Sequence, residues 1–392
     1  MIKRSNAMYK VVDEYCFKSK DLYNFSNYYI RQKYIQNGFY IDDKKLSKII
    51  KHKEPFKAIG SNSAQQTMKL LHTAWKSFFA SIKDYSKNPS KYLGRPQLPK
   101  YLPKNGRYVW VLTNVQSKIV DGHLKFSFKP LHPYNGMIRT KVTGKHMQTR
   151  FIPKGDHYVL EIVYEKEIVS CNEDSKRIIG IDLGISRLAT IQNNCGLKPI
   201  SINGGKIKSI NNFYNKEIAK YQSKAKKINK VYWTKRLQRI TNKRNHKIEY
   251  LLHCASKKIV DYCVYYNIDT VIVGYNSKWK QNAAIGKTTQ KFVDIPFRNL
   301  LSKLEYKLEE LGIRLIMIEE SYTSKASFLD EDKANKGTKF NGKRVKRGLY
   351  KSSKGTLINA DVNGASNIIK KVFPKAFDGI KDVGLHPKII SL

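Results

Sequence analysis

The hydrophobic repeat changes period along these 392 residues, so no single regular layer can hold the whole chain. Asp21 to Tyr34 and Ser63 to Tyr85 place apolar side chains three and four residues apart, as in Met68, Leu71, Trp75 and Phe78-Phe79. That spacing predicts helices packed on a core of their own. Ser63 suits the N-cap of the second helix. Lys87 to Lys104 breaks the pattern with Pro89, Gly94, Pro96, Pro99 and Pro103 and reads as a linker or loop. From Arg107 to Glu167 the period falls to two. Tyr108 to Leu112, Leu124 to Phe128 and Tyr158 to Tyr164 are expected strands, turned by Asp121-Gly122 and Lys154-Gly155-Asp156. A small β-barrel or sandwich follows, within a chain long enough for two or three domains.

Beyond a polar linker, Cys171 to Lys176, the style changes again. Short apolar runs at Ile178 to Ile181, Leu188 to Gln192 and Lys198 to Ile202 read as three strands. Lys206 to Tyr266 reads as two long helices, Thr270 to Val273 as a buried strand, and Pro296 to Leu311 as an amphipathic helix. Arg314 to Ile318 is the next buried strand and Asn363 to Phe373 the last helix. This order is that of an RNase H-like α/β domain, one of several topologies the pattern allows.

Charge narrows the partners. Lys and Arg number 74 against 31 Asp and Glu, a net +43, which argues against most metabolic enzymes and for a polyanion, nucleic acid before membrane. With 25 Tyr, 16 Phe and 4 Trp the chain is no disordered polycation. Between Lys206 and Lys258 sixteen cations face only Glu217 and Glu249. Like charges at four-residue spacing repel, so this hairpin is expected to lie along a phosphate backbone. Lys226, Lys227, Lys235, Arg236, Arg239, Lys243, Arg244 and Lys247 are the expected contacts. Five cysteines without a CxxC pair suit a reducing compartment, and no apolar run approaches the roughly 18 residues of a membrane span. A soluble intracellular protein is expected.

Two acids stand out. In Gly180-Ile181-Asp182-Leu183-Gly184 an apolar strand ends in a carboxylate that could hold a divalent cation, although many plain hairpins also contain Asp and Gly. Asp361, in Asn359-Ala360-Asp361-Val362-Asn363-Gly364-Ala365, would also suit a helix N-terminus on charge grounds alone. Hydrolysis by two metals usually takes three or four carboxylates. The end of the Thr270 strand offers Gly274 instead. The next strand ends in Glu319-Glu320, of which alternation puts one on the site face, with Glu320 favoured beside Ser321-Tyr322-Thr323-Ser324. Asp330, Glu331 and Asp332 read as a solvated loop.

Gly180 to Gly184, Tyr322-Thr323-Ser324-Lys325 and Asp361 to Ala365 resemble the RuvC segments of TnpB, the transposon-encoded RNA-guided nuclease family related to type V CRISPR effectors. Ser63-Ala64-Gln65-Gln66 and Gly94-Arg95-Pro96-Gln97-Leu98-Pro99-Lys100 extend the likeness. The resemblance implies a multidomain α+β chain. Residues 1–14 would give the N-terminal strand of a wedge β-barrel, 15–104 a helical recognition lobe, and 105–172 the rest of the barrel. Residues 176–392 would form an RNase H-like (RuvC) domain, with the basic hairpin at 206–266 and an insertion at 331–357. It implies a guide RNA and target double-stranded DNA as partners, no membrane, and a nucleoid-associated place in a bacterial cytoplasm. It further implies two Mg²⁺ ions on Asp182, Asp361 and Glu320 or Glu319. Two departures stand out. The usual RuvC-II glutamate is Gly274, and no cysteine follows Cys263, so a four-cysteine zinc ribbon is excluded by ligand count. Nine cations between Lys333 and Thr356, Lys343, Arg344, Lys346 and Arg347 among them, suggest a metal-free basic hairpin over nucleic acid. Alternatives are a nuclease-dead guided repressor and a DNA transposase that needs no RNA.

Overall fold

The computed structural model describes residues 1–171, 176–276, 293–380 and 382–392. The chain divides into two compact units, Met1–Glu167 and Ile168–Leu392. Most of the linker expected at Cys171 to Lys176 lies outside the described residues. No helix among the described residues is long and apolar enough to cross a membrane.

The first unit opens with strand β1 (Ile2–Lys3) and four helices: α1 (Tyr9–Asn37), α2 (Asp43–Ile50), α3 (Glu54–Lys57) and α4 (Ser61–Lys87). α1 begins at Tyr9, well before the apolar spacing signals it, because its buried face includes the polar Ser19, Lys20, Ser26 and Asn27. It stops at Gly38, whose left-handed φ of 65° lets its N–H reach the Tyr34 carbonyl. Ser63 does not cap α4; Gly60 does. Ser63 is buried inside the first turn, where its hydroxyl donates to Gln116 Oε1 at 3.2 Å and accepts from the Trp110 indole at 3.3 Å. Trp75 anchors the helical core, with Tyr34, Tyr40, Phe78 and Phe79 ring centroids 5.5 to 5.8 Å away.

The proline segment after α4 is irregular, as expected, but it is no free linker. One face of α1 holds it by its carbonyls. Asn27 Nδ2 and Arg31 Nη1 donate to Pro99 O at 3.0 and 2.9 Å, and Lys20 Nζ donates to Lys104 O at 2.8 Å. Asn24 exchanges two hydrogen bonds with the Leu102 backbone, at 2.9 and 2.8 Å.

Six further strands complete this unit: β2 (Trp110–Thr113), β3 (Ser117–Val120), β4 (His123–Phe126), β5 (Ile138–Arg139), β6 (Lys145–Pro153) and β7 (His157–Glu165). They form a sheet of order β1-β7-β6-β2 and another of order β3-β4-β5. β6 escapes the period-two reading because Lys145, Gln148 and Arg150 dilute it. Trp110 stacks between Tyr15 and Phe151, at 4.7 and 4.9 Å, and closes the core. Burial pushes the Asp13 carboxyl up, but hydrogen bonds from Arg107 and Tyr158 outweigh it and hold Asp13 below the usual carboxylate range.

The second unit is built on a six-stranded sheet of order β12-β11-β8-β9-β10-β16. β8 (Ile178–Leu183), β9 (Arg187–Asn193) and β10 (Ile200–Asn203) form an antiparallel meander. Two long helices follow, α5 (Gly205–Asn229) and α6 (Lys235–Tyr265). β11 (Thr270–Gly274) then lies parallel to β8, buried throughout. After α7 (Phe297–Glu309), β12 (Arg314–Ile318) runs parallel to β11. β13 (Lys343–Lys346), β14 (Leu349–Lys351) and β15 (Leu357–Asn359) make a small antiparallel sheet before α8 (Ala360–Val372). β16 (Lys388–Ile390), not anticipated from the sequence, pairs in parallel with β10 and covers that edge. α8 lies close against β8, since a Cβ at Gly180 would collide with the Ala365 carbonyl oxygen.

Asn27 accepts from the Trp75 indole at 3.1 Å while donating to Pro99, so it ties the helical core to the proline segment. Asn27→Ala leaves the buried Trp75 indole unpaired and Pro99 O held by Arg31 alone, and is expected to cost about 1–3 kcal/mol. Thermal melts should show the loss, and limited trypsin digestion should show faster cleavage after Lys100 and Lys104. An unchanged melt and digest would refute the tie.

Candidate active site

Parallel pairing puts the C-terminal ends of three strands at one edge of the sheet. Val273 is level with Ile181, and Gly274 with Ile318, so Asp182, Gly274 and the Glu319-Glu320 pair follow one another across β8, β11 and β12. α8 crosses the same edge. A Cβ at Gly364 would stand 3.2 Å from Asp182 Oδ2, which places the first turn of α8, with Asp361, beside Asp182. Asn359 caps that turn, accepting from the N–H groups of Asp361 and Val362 at 3.0 and 3.1 Å.

Gly274 is explained by its neighbours. A Cβ there would stand 3.1 Å from Glu320 Cβ and 2.6 Å from Ile368 Cδ1. A side chain at this level of β11 would displace the Ile368 tip and crowd Glu320, which follows the next strand and packs against Gly274. Glu319 is turned the other way. It is exposed, its carboxylate accepts from Ser321 Oγ at 2.8 Å, and its carbonyl accepts from Lys371 Nζ at 2.7 Å.

Buried amides hold the turn after β12 against α8. Asn363 and Asn367, one helical turn apart and 0% and 2% exposed, point their Nδ2 groups at the Ala326 carbonyl from 2.8 and 2.7 Å. Asn367 also donates to Thr323 O at 2.9 Å, and Asn363 Oδ1 accepts from Phe328 N at 2.9 Å. Thr323 in turn donates its hydroxyl to Glu320 O at 2.8 Å. The sequence reading missed the role of these amides. Two asparagines four apart on an otherwise apolar helix face were the available signal.

The electrostatics are those of a crowded site. Burial pushes the Asp182 carboxyl well above the usual carboxylate range; Glu320 and Asp361 push the same way, and Arg344 pulls back. Carboxylate oxygens are the donors that hard divalent cations take, so Asp182, Glu320 and Asp361 fit such an ion by chemistry. Among the described residues no group of three or more His, Cys, Asp or Glu stands ready to hold a metal.

The expected phosphate contacts divide into free and committed groups. Lys226, Lys227, Lys235, Arg236, Arg239, Lys243 and Lys247 are exposed on α5 and α6, as are Lys343, Arg344, Lys346 and Arg347 around β13. Arg236 also lies over the Tyr221 ring, 3.8 Å from its centroid. Arg244 is half-buried and serves the fold, donating to Asn211 Oδ1 at 2.8 Å and to Asp294 O at 2.6 Å. Arg347 reaches Ser186 Oγ at 3.2 Å, in the turn just after Asp182.

Below this ribbon the acidic loop is not merely solvated. Asp330 accepts from Ser327 Oγ at 2.6 Å and from Ser353 N and Oγ at 2.9 and 2.5 Å. Asp332 accepts from Ser327 N at 2.9 Å and from Asn341 N and Nδ2 at 3.0 and 2.8 Å.

Because the folded state raises the Asp182 pKa, its charge costs stability at neutral pH, and the cost fades as pH falls into the carboxylate range. Asp182→Asn is therefore expected to melt higher than the parent in chelator at pH 7, by about 2–4 °C per kcal/mol recovered. The gap should close on acidification, and divalent ions should raise the parent's melt but not the variant's. Calorimetry across pH checks this; a lower-melting variant in chelator would refute the crowding.

Comparison with known proteins adds relatives to this geometry. Residues 161–280 match the family described as OrfB_IS605, probable transposase, and residues 297–368 match the Cas12f1-like TNB domain. The chain is 22% identical over 396 aligned positions to the TnpB-like protein ORF457 of Acidianus two-tailed virus, spanning 93% of this chain and 83% of that protein. It is 29% identical over 284 positions to the CRISPR-associated endodeoxyribonuclease Cas12f2 of Micrarchaeota archaeon (strain CG1_02_47_40), spanning 66% of this chain and 47% of that one. A loose likeness extends to a chain of a Cas12f1–sgRNA–target DNA complex, with TM-score 0.38, 14% identity and 92% and 94% of the two chains covered. Another extends to a CRISPR-Cas12f ternary complex, with TM-score 0.35, 13% identity and 92% and 80% covered. With two matched segments in chain order and a viral relative aligned over 93% of it, this chain is similar to TnpB-like proteins.

Proposed function

We propose that the chain is an RNA-guided DNA endonuclease of a mobile element, cutting guide-matched double-stranded DNA beside a short motif that the protein reads. The observation that carries this reading is Glu320 standing over Gly274 at the edge that bears Asp182. A third acid is thereby kept at the site although β11 supplies none. A chain that only gripped nucleic acid would gain nothing from holding repelling carboxylates together. The sheet order supports an RNase H-like RuvC domain from residue 176 onward. The relatives, one named as TnpB-like and one as a CRISPR-associated endodeoxyribonuclease, support the guided nuclease class. Residues 15–104 would then be the recognition lobe, and 1–14 with 105–172 the wedge barrel.

Asp182, Glu320 and Asp361 would hold the divalent ions, Mg²⁺ in this reading. Such ions neutralise charge on a scissile phosphate and lower the pKa of bound water. The residues themselves do the positioning. Thr323, Asn363 and Asn367 fix the turn that aims Glu320, Asn359 fixes the turn that carries Asp361, and Arg344 faces Asp182 with a positive charge. The cations of α5, α6 and β13 would hold the nucleic-acid backbone, leaving sequence choice to base pairing. Gly274, standing where the usual glutamate is expected, favours a second reading, a guided DNA binder that does not cut.

The test is Mg²⁺-dependent cleavage of a guide-matched duplex by protein purified with its RNA. Asp182→Ala and Glu320→Gln are each expected to lower cutting by about 10²–10³-fold or more while RNA still copurifies, and Glu319→Gln to leave it near the parent's. Cleavage that survives Asp182→Ala would overturn the site. Parent protein that binds the duplex and never cuts it would establish the second reading.

A further inference from the structure

The first unit contains a groove that the nuclease reading leaves without a task. It measures about 580 Å³ and is lined by Arg31, Tyr34, Phe78, Ile82, Arg95 and Lys100, with residues 96–98 as one wall. Three of these residues are cations, and no Asp or Glu is among the described residues lining it. The wall is built in advance. The ladder of Lys20, Asn24, Asn27 and Arg31 onto residues 99–104 fixes the stretch that carries Lys100 and anchors the end of the wall that Arg95 begins. Arg31 is itself locked, donating to Pro99 O at 2.9 Å and lying 5.1 Å from the Tyr101 ring centroid. Arg95 and Lys100 remain exposed.

We propose that this groove seats one unpaired nucleotide of a single strand, with its base against Tyr34 and Phe78 and its phosphate on Arg95 and Lys100. The proposal rests on the nucleic-acid reading above and names a subsite within it. Planar aromatic and aliphatic walls suit the face of a base, while cations at the rim suit the phosphate. A duplex keeps its ring faces stacked inside and cannot offer one. An acidic peptide would satisfy the cations yet leave Tyr34, Phe78 and Ile82 without a matching surface. A rigid wall lowers the ordering cost of binding, which a loose linker of the same sequence would not.

Photo-crosslinking with a single-stranded oligonucleotide containing 5-iodouracil, mapped by mass spectrometry, tests this on the full chain. The expected result is an adduct on Tyr34 or Phe78. Arg95→Ala with Lys100→Ala should lower that adduct about tenfold while adducts elsewhere and the melting temperature stay unchanged. The same pair should reduce the slope of log affinity against log salt by about 0.7 per lost phosphate contact. Phe78→Leu, which keeps an apolar volume in the aromatic core, should lower the Tyr34 adduct as well. Adducts only outside the groove would overturn this inference and leave the nuclease reading standing. So would displacement of the adduct by an oligo-glutamate peptide but not by unlabelled oligonucleotide. A parent protein that binds no nucleic acid at all would overturn both.

Discussion

Like charges repel, and the second unit nevertheless sets three half-buried carboxyl groups at one edge of its sheet. Asp182 comes from the central strand, Asp361 from the helix that crosses it, and Glu320 from two strands away. None of these placements is free. α8 can approach β8 because Gly180 and Gly364 present no side chain, and Glu320 has its space because Gly274 presents none. The amides of Asn363 and Asn367 then fasten the turn after β12 to the helix. Fold stability and carboxylate repulsion are thus opposed at one spot, with the surrounding packing supplying the difference.

Much of this was legible in the sequence where a run of β-branched and aliphatic residues ends in an acid. β8 and β12 are such runs, and β11, buried throughout, has little alternative to a central place in the sheet; β12, expected to be buried, is instead its partly exposed edge strand. Alternation put one of Glu319 and Glu320 on the site face and the adjacent Ser321–Ser324 turn favoured Glu320; exposure and partners separate the two in the structure. The N-terminal part of α1, β6 and β16 were not legible. Buried Ser19, Lys20 and Asn27 hide the helical period of α1, and charged residues blur the strand period of β6. β16 is three residues long and gains its place only by pairing with a strand 188 positions earlier in the chain.

Charge counting had a similar limit. Net charge announces a polyanionic partner, yet it cannot tell a cation facing solvent from one consumed inside. Arg244, Arg31 and Arg107 all serve the fold: the first on Asn211, the second on Pro99, the third on Asp13. Arginine suits such struts because its planar fork meets two acceptors at once, whereas the exposed lysines of α5 and α6 remain available.

The paired aspartates beneath the β13–β14 ribbon have a consequence for where the protein can work. Burial alone would push Asp330 up, but hydrogen bonds from Ser327 and Ser353 outweigh it and hold Asp330 below the usual carboxylate range. A group bound in this way stabilises the fold at neutral pH and gives up that contribution as the medium turns acid. The knot that steadies the ribbon near the edge bearing Asp182 is thus made of ionised oxygen and hydroxyl groups. Thiol oxidants have nothing to attack in it, while sour surroundings would loosen it.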